Sequence, residues 1–249
     1  MDLTSDSVFD TGPAGGGSGS RRGDVSTSTL AGRVAEVFYS IQGEGVTAGL
    51  PAVFVRLQGC TVGCSWCDTK YSWAEDAGRV VSLEALVEEA SAFPCRRLVL
   101  TGGEPLESPL FVPLLRALSG ASFAIEVETS GTQPPPVGVD RALQWNVSLK
   151  LAGSGVAETT RIRPDAIRGF LSREAWWKFV VTDEGEVTEV LELAERFALP
   201  RGRILLQPEA VRRDELIERS PWVVEACKRH GFRFSPRLHI LLWGARRGV

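Results

Sequence analysis

Six short apolar runs, spaced by stretches of helical period, constrain this chain more than any other feature of its sequence. The runs cover residues 52–57, 97–100, 123–127, 143–149, 176–181 and 204–206. They are rich in β-branched and aromatic side chains, which suit a pleated, buried surface. Helical patterns occupy residues 82–93, 109–119 and 186–197 between runs, and residues 214–230 after the last. Ser82 ahead of Leu83, Leu86, Val87 and Ala90 gives a capped start and one apolar face. Strands alternating with helices predict βαβ units on a mostly parallel sheet, an α/β fold.

The residues with chemistry cluster at the ends of these runs. Gln58-Gly59-Cys60 follows the first, Thr101-Gly102-Gly103-Glu104-Pro105 the second and Glu128-Thr129-Ser130-Gly131 the third. Ser148-Leu149-Lys150 closes the fourth, Thr182-Asp183-Glu184 the fifth and Gln207-Pro208-Glu209 the sixth. In a parallel barrel all such ends lie on one rim, where active sites are built.

Residues 1–31 read as a disordered tail. The segment GPAGGGSGS over 12–20 is too small and polar to offset its ordering entropy by burial. A single core domain is expected over residues 32–249. The formal net charge of -3 offers no excess of Lys and Arg for nucleic acid or an anionic membrane. No apolar run reaches the ~18 residues that cross a bilayer, and no signal-peptide core is visible. The expected location is therefore the cytoplasm.

Of the five cysteines, Cys60, Cys64 and Cys67 fall within eight residues, in a C-x3-C-x2-C spacing directly after the first run. Disulfides are not expected in a reducing compartment, so this spacing points to metal. Thiolates are soft ligands for iron–sulfur clusters or zinc. Three of them can hold three irons of a cubane and leave the fourth iron open. A structural zinc site would need a fourth ligand from Cys95, Cys227, His230 or His239, none of which forms a second paired knuckle.

Cys60-x3-Cys64-x2-Cys67 and Thr101-Gly-Gly-Glu-Pro105 together resemble the signatures of the radical S-adenosylmethionine (SAM) superfamily. A narrower resemblance spans nearly all of residues 33–249. Tyr39-Ser-Ile-Gln-Gly-Glu-Gly45, Phe54-Val-Arg-Leu57, Cys67-Asp-Thr69, Glu128-Thr-Ser-Gly131, Ser148-Leu-Lys150, Leu206-Gln-Pro208 and Leu238-His239 are similar to the 7-carboxy-7-deazaguanine synthase family. That resemblance implies a modified partial (β/α) barrel and a homodimer. It implies a [4Fe–4S] cluster, SAM and Mg2+, and contraction of 6-carboxy-5,6,7,8-tetrahydropterin to 7-carboxy-7-deazaguanine with loss of ammonia. It also implies an external electron donor such as flavodoxin or ferredoxin.

Site roles follow from the same resemblance. Gly102 and Gly103 would let backbone approach SAM, and Glu104 would accept from its ammonium. Lys150, with Ser148 and Leu149, would meet its carboxylate. Trp66, Cys67 and Asp68 would contact the cofactor near the cluster, and Gln207, Pro208, Glu209 and Ala210 would do so at the last strand end. Thr69 matches the magnesium position, which is plausible only where substrate supplies further oxygens. Ile41, Gln42, Gly43, Glu44, Arg56, Thr101 and His239 match substrate contacts. Strand alternation puts Arg56 on one face with Phe54 and Gln58; it either grips the substrate carboxylate or makes an internal salt bridge to a glutamate. His230, at a helix end, reads as a solvated or capping residue. Relatives in part end in a proline whose carboxylate reaches the substrate; this chain ends in Val249, so its terminus is expected near the pocket without a catalytic role. The competing readings are an activase that makes a glycyl radical on a partner protein and a zinc-stapled interaction module.

Overall fold

The computed structural model describes residues 30–139 and 143–249. The tail expected over 1–31 lies outside the described residues up to position 29; β1 begins at Ala31, one residue ahead of the expected core boundary. The strands are β1 (Ala31–Ile41), β2 (Pro51–Leu57), β3 (Arg79–Ser82), β4 (Arg97–Gly102), β5 (Ala124–Thr129), β6 (Gln144–Val147), β7 (Trp176–Val181), β8 (Ile204–Pro208) and β9 (Arg233–Phe234). They form one sheet in the order β3-β1-β2-β4-β5-β6-β7-β8-β9. From β2 to β9 every neighbouring pair is parallel. β1 runs antiparallel to both β2 and β3. Among the described residues the sheet does not close, because β3 and β9 end it as edges. The expected α/β, mostly parallel partial barrel is what the chain forms.

The helices are α1 (Leu83–Ser91), α2 (Phe111–Gly120), α3 (Glu158–Arg161), α4 (Pro164–Leu171), α5 (Glu184–Phe197), α6 (Arg213–His230) and α7 (Leu238–Trp243). Ser82 caps α1 by accepting from Ala85 N, as its sequence suggests. Asp183 caps α5, accepting from Gly185 N at 2.8 Å and Glu186 N at 3.2 Å. Thr182-Asp183-Glu184, one of the six chemically promising strand ends, is therefore spent on starting a helix.

Strand alternation sorts each strand into two sets. Val53, Val55, Leu57, Leu98, Leu100, Ile125, Val127, Trp145, Val147, Trp177, Phe179 and Leu206 belong to one apolar core together with the helices. The opposite face carries Arg56, Thr101, Glu126, Glu128, Asn146, Lys178 and Gln207. Beside a small apolar cluster of Ala52, Phe54 and Val99, these polar side chains line or underlie the main cleft. In the core, Trp145 lies with ring centroids 5.2 Å from Phe170 and 6.3 Å from Phe111. Phe170→Ala should therefore cost about 3–5 kcal/mol of stability, read as a lower urea midpoint at unchanged slope.

Candidate active site

The three cysteines sit on a loop that is fastened to the sheet. Gln58 Nε2 donates to Tyr71 O at 3.0 Å and Ala74 O at 2.8 Å, while Gly59 N and Cys60 N donate to Ser72 O and Trp73 O. The segment after Thr69 thus folds back and frames the loop's entrance. Gly59 (φ 107°) and Gly63 (φ 72°) supply the left-handed turns that reverse it. All five cysteines are free, and Cys67 Sγ accepts from Trp73 Nε1 at 3.3 Å. Burial pushes the Cys60 thiol up, and pushes the Cys64 thiol up against the pull of Lys150. Bound metal ions reverse that preference by deprotonating coordinating thiols.

The donor set fits a cluster better than a zinc ion. Among the described residues, no three or more His, Cys, Asp or Glu side chains converge to hold a single metal ion. Three loop thiols that would each bind a different iron of a cluster do not need such convergence. The other two cysteines are elsewhere. Cys95 Sγ bonds Pro51 O at the start of β2, and Cys227 is buried on α6 in the core.

The glycines after β4 lie against this loop. Gly103 N donates to Leu57 O, and Glu104 N to Gly59 O. A Cβ at Gly102 would stand 2.5 Å from Leu57 O; one at Gly103 would run into Gly59 O and stand 2.6 Å from Cys60 Cβ. The close approach that needs glycine here is therefore to the backbone of the cysteine loop. Glu104 makes its bonds within the protein. Its carboxylate is 1% exposed and accepts from Ser130 N, Ser130 Oγ, Thr129 Oγ1 and Leu106 N. Burial pushes its pKa up against those four donors. In this geometry it braces the ends of β4 and β5 to each other, and Thr101, Gly102, Gly103 and Ser130 face the cleft.

Further round the rim, Lys150 Nζ donates to Ser148 Oγ at 3.0 Å and stands 5.5 Å from the Trp66 ring centroid. The buried Trp66 Nε1 has no protein partner among the described residues. Leu149 points into the core. Gln207 faces the cleft and accepts from Ser235 Oγ at 3.0 Å, while Glu209 is held by Arg219. Ala210 is fully buried and offers its carbonyl to Arg237; Pro208 lies in β8.

The substrate candidates fall into three charge clusters around a cleft of about 290 Å³. In the first, Arg56 Nε donates to Glu36 Oε1 at 2.8 Å and Tyr71 Oη donates to the same oxygen at 2.6 Å. Arg247 lies over the Tyr71 ring, 3.5 Å from its centroid, and 3.6 Å from Glu36 Oε2. The internal salt bridge considered for Arg56 is present, but it uses only Nε. Burial and the Glu36 carboxylate push the Tyr71 phenol up to about 12 against the pull of Arg56.

In the second, Gln42 spends its amide inside the protein. Nε2 donates to Glu126 at 2.8 Å and Glu128 at 3.0 Å, and Oε1 accepts from Glu44 N. Thr47 and Asn146 donate to Glu126 as well. Gln42, expected at a substrate edge, lines the cleft, and its side chain fixes Glu128 and the Glu44 backbone there. Burial, with Glu128 beside it, pushes the Glu126 carboxyl up. In the third cluster, Lys178 and Arg237 both bond Glu44, and Arg237 also bonds Asp68. Burial keeps the His239 imidazole low, and Gly43 is so close to it that a Cβ would strike Nδ1. Residues 244–249 close one side of the cleft.

Residues 54–148 match the Radical SAM superfamily. Over 223 residues the chain is 42% identical to the 7-carboxy-7-deazaguanine synthase of Pyrobaculum aerophilum, covering 87% of this chain and 96% of that protein. The chain belongs to the 7-carboxy-7-deazaguanine synthase family. It is also 36% identical over 219 residues to the synthase of Hyperthermus butylicus, covering 84% of this chain and 92% of that one. The solved structure of QueE from Escherichia coli superposes with a TM-score of 0.67 at 29% identity, over 84% of this chain and 95% of that one.

For this member of the synthase family, sequence reasoning gave no individual role to several residues of these clusters. Glu126, Glu128 and Lys178 carry one signal, since they interrupt apolar strands and a charge inside a buried strand demands a partner. Glu36, Tyr71, Arg237 and Arg247 carry no comparable mark, since their partners are remote in sequence.

Proposed function

We propose that this cleft performs the reaction its relatives are named for, forming 7-carboxy-7-deazaguanine from 6-carboxy-5,6,7,8-tetrahydropterin with loss of ammonia. One observation carries the assignment of the site. Three free thiols line a charged cleft together with Gly102, Gly103, Lys150 and Trp66. Cys60, Cys64 and Cys67 would hold a [4Fe–4S] cluster with one iron free of protein. When bound, cluster and SAM together supply the 5′-deoxyadenosyl radical that starts the chemistry.

The protein's part is to bind, orient and exclude water. Lys150, held by Ser148, presents a cation for the SAM carboxylate. Trp66, with its buried unpartnered indole N–H, walls the same side. Gln207 and Glu209 face the cleft from the end of β8. Thr69 Oγ1 lies 3.5 Å from Cys67 Sγ and offers Mg2+ one hard oxygen beside the cluster loop. Arg56 keeps its two terminal nitrogens for the substrate carboxylate, while Glu36 fixes the fork through Nε. Glu44, the backbone of residues 41–43, Thr101 and His239 would take the edges of the heterocycle.

An external electron donor of the flavodoxin or ferredoxin type, a homodimeric state and a cytoplasmic location complete the proposal. Among the described residues no helix is long and apolar enough to cross a membrane. Arg56→Ala should raise KM by roughly 10- to 100-fold, the cost of one charge-assisted bidentate contact, with a smaller change in kcat. The function itself is tested by anaerobic turnover with the carboxylated tetrahydropterin. A deazapurine product supports it, and 5′-deoxyadenosine release without ring contraction removes it.

A further inference from the structure

Lys178 is a lone charge in the apolar run Trp176-Trp177-Lys178-Phe179-Val180-Val181 of β7. Its side chain is 12% exposed. A cation so placed is costly unless an anion meets it with good geometry. Glu44 supplies that anion. Lys178 Nζ donates to Glu44 Oε2, and Arg237 Nε donates to Glu44 Oε1 at 2.9 Å. The two cations come from different elements, one from the sheet and one from the segment entering α7. The loop that carries Glu44 is pinned as well: Glu44 N donates to Gln42 Oε1, and Leu238 N donates to Gly43 O.

We propose that Lys178 is a positioning residue for the ring contraction, which with Arg237 grips Glu44 so that its carboxylate faces the N–H edge of the pterin from a fixed place. This rests on the assignment of Glu44 to the substrate. A carboxylate has about four lone-pair sites; the two cations take one on each oxygen, and the rest face a cleft that Glu44 lines. An acceptor held in advance spares the ordering cost that a free glutamate would incur at binding.

The grip also sets the charge state. Burial pushes the Glu44 carboxyl upward, but Lys178, Arg237 and His239 outweigh it and hold it well below the usual carboxylate range. Asp68 faces it from the cysteine loop across Arg237, and Glu128 faces Lys178 and His239 from β5. Because the folded value is depressed, the ion pair's contribution is complete above the ordinary carboxylate range and is lost only as pH falls through the depressed value. Removing Lys178 leaves burial opposed mainly by Arg237, so the loss moves up in pH.

The test measures the Kd of the carboxylated tetrahydropterin, anaerobically and calorimetrically, on cluster- and SAM-loaded protein between pH 5.5 and 8.5. Lys178→Met is expected to weaken binding about tenfold or more at the acid end, a change of about one pKa unit in free energy, and to recover part of it at the alkaline end. Lys178→Arg, which keeps the charge, should restore most of the affinity and the flat profile. Glu44→Gln should weaken binding by itself, and adding Lys178→Met to it should change little, since the pair would already be broken. A Lys178→Met loss that is the same with Glu44→Gln present, or that runs parallel to wild type across pH, overturns the proposal. Glu44→Gln at wild-type affinity overturns the assignment of Glu44 itself; Glu44→Gln weakened with Lys178→Met unchanged overturns only the grip. Should Lys178→Met fail to fold, the double variant, which leaves neither of those two charges unpaired, carries the comparison with Glu44→Gln.

Discussion

Cys64→Ala is expected to leave the fold in place and to remove the cluster and all turnover. Cys64 is 6% exposed on a loop whose course is set by other bonds: Gln58 to Tyr71 O and Ala74 O, and Ser65 N to Ser154 O. Losing one sulfur atom there costs the fold little. The effect on chemistry is of another order, because a cubane needs its protein thiolates and cannot be held by two alone in a site with no substitute. Cys95 and Cys227 lie elsewhere, so neither can stand in. Anaerobic reconstitution of the wild type should give about four irons per chain. The variant should give far fewer, with wild-type circular dichroism and activity at background. Full turnover from this variant would contradict the assignment of the loop.

Gly103→Ala should have the second-largest effect, by geometry alone. The φ of Gly103 is not in the left-handed region, so alanine meets no conformational penalty there. The obstacle is steric: the new methyl would press on Gly59 O and the Cys60 Cβ, neither of which is the free end of a flexible side chain. Overpacking of this kind costs about 1–3 kcal/mol of stability. Displacing the cysteine loop by about 1 Å should cost roughly 100-fold in kcat/KM. SAM affinity and iron content should fall with it. Gly120→Ala is the matched control, since a Cβ there meets nothing within 4 Å and φ is not positive. It should leave activity unchanged.

The parallel strands from β2 to β8 were legible in the sequence because each is a short apolar run bounded by turn residues, whereas the two-residue β9 was not read as a strand. Strand ends moved by a residue or two: the run at 143–149 became β6 at Gln144–Val147, and the run at 123–127 extended to Thr129. β1 and β3 were not assigned as strands. β1 is half-buried along most of its length and lacks a clean alternation, and β3 is a four-residue edge. The helix α4, entered through Pro164 at its first turn, was also missed.

The candidate site divides in the same way. Motifs close in sequence, Cys60 to Cys67 and Ser148 to Lys150, could be picked out because the chemistry proposed for them depends on spacing. The internal bonds of Glu104 and Gln42 could not, because they go to partners that only the fold brings near. Glu104 meets Thr129 and Ser130 across a strand crossover, and Gln42 meets Glu126 and Glu128 across the sheet. Lys178 carried a signal that sequence reasoning did not use, a charge within an apolar strand, while Arg237, which shares Glu44 with it, sits 193 residues from its partner and had no local mark.

Electron paramagnetic resonance of the anaerobically reconstituted, reduced protein, recorded before and after adding SAM, addresses the core of this account. A cluster held by Cys60, Cys64 and Cys67 keeps one iron open, so its signal should shift when the cofactor docks. A four-iron signal that is identical with and without SAM, or a preparation that binds one zinc per chain and no iron, would contradict it.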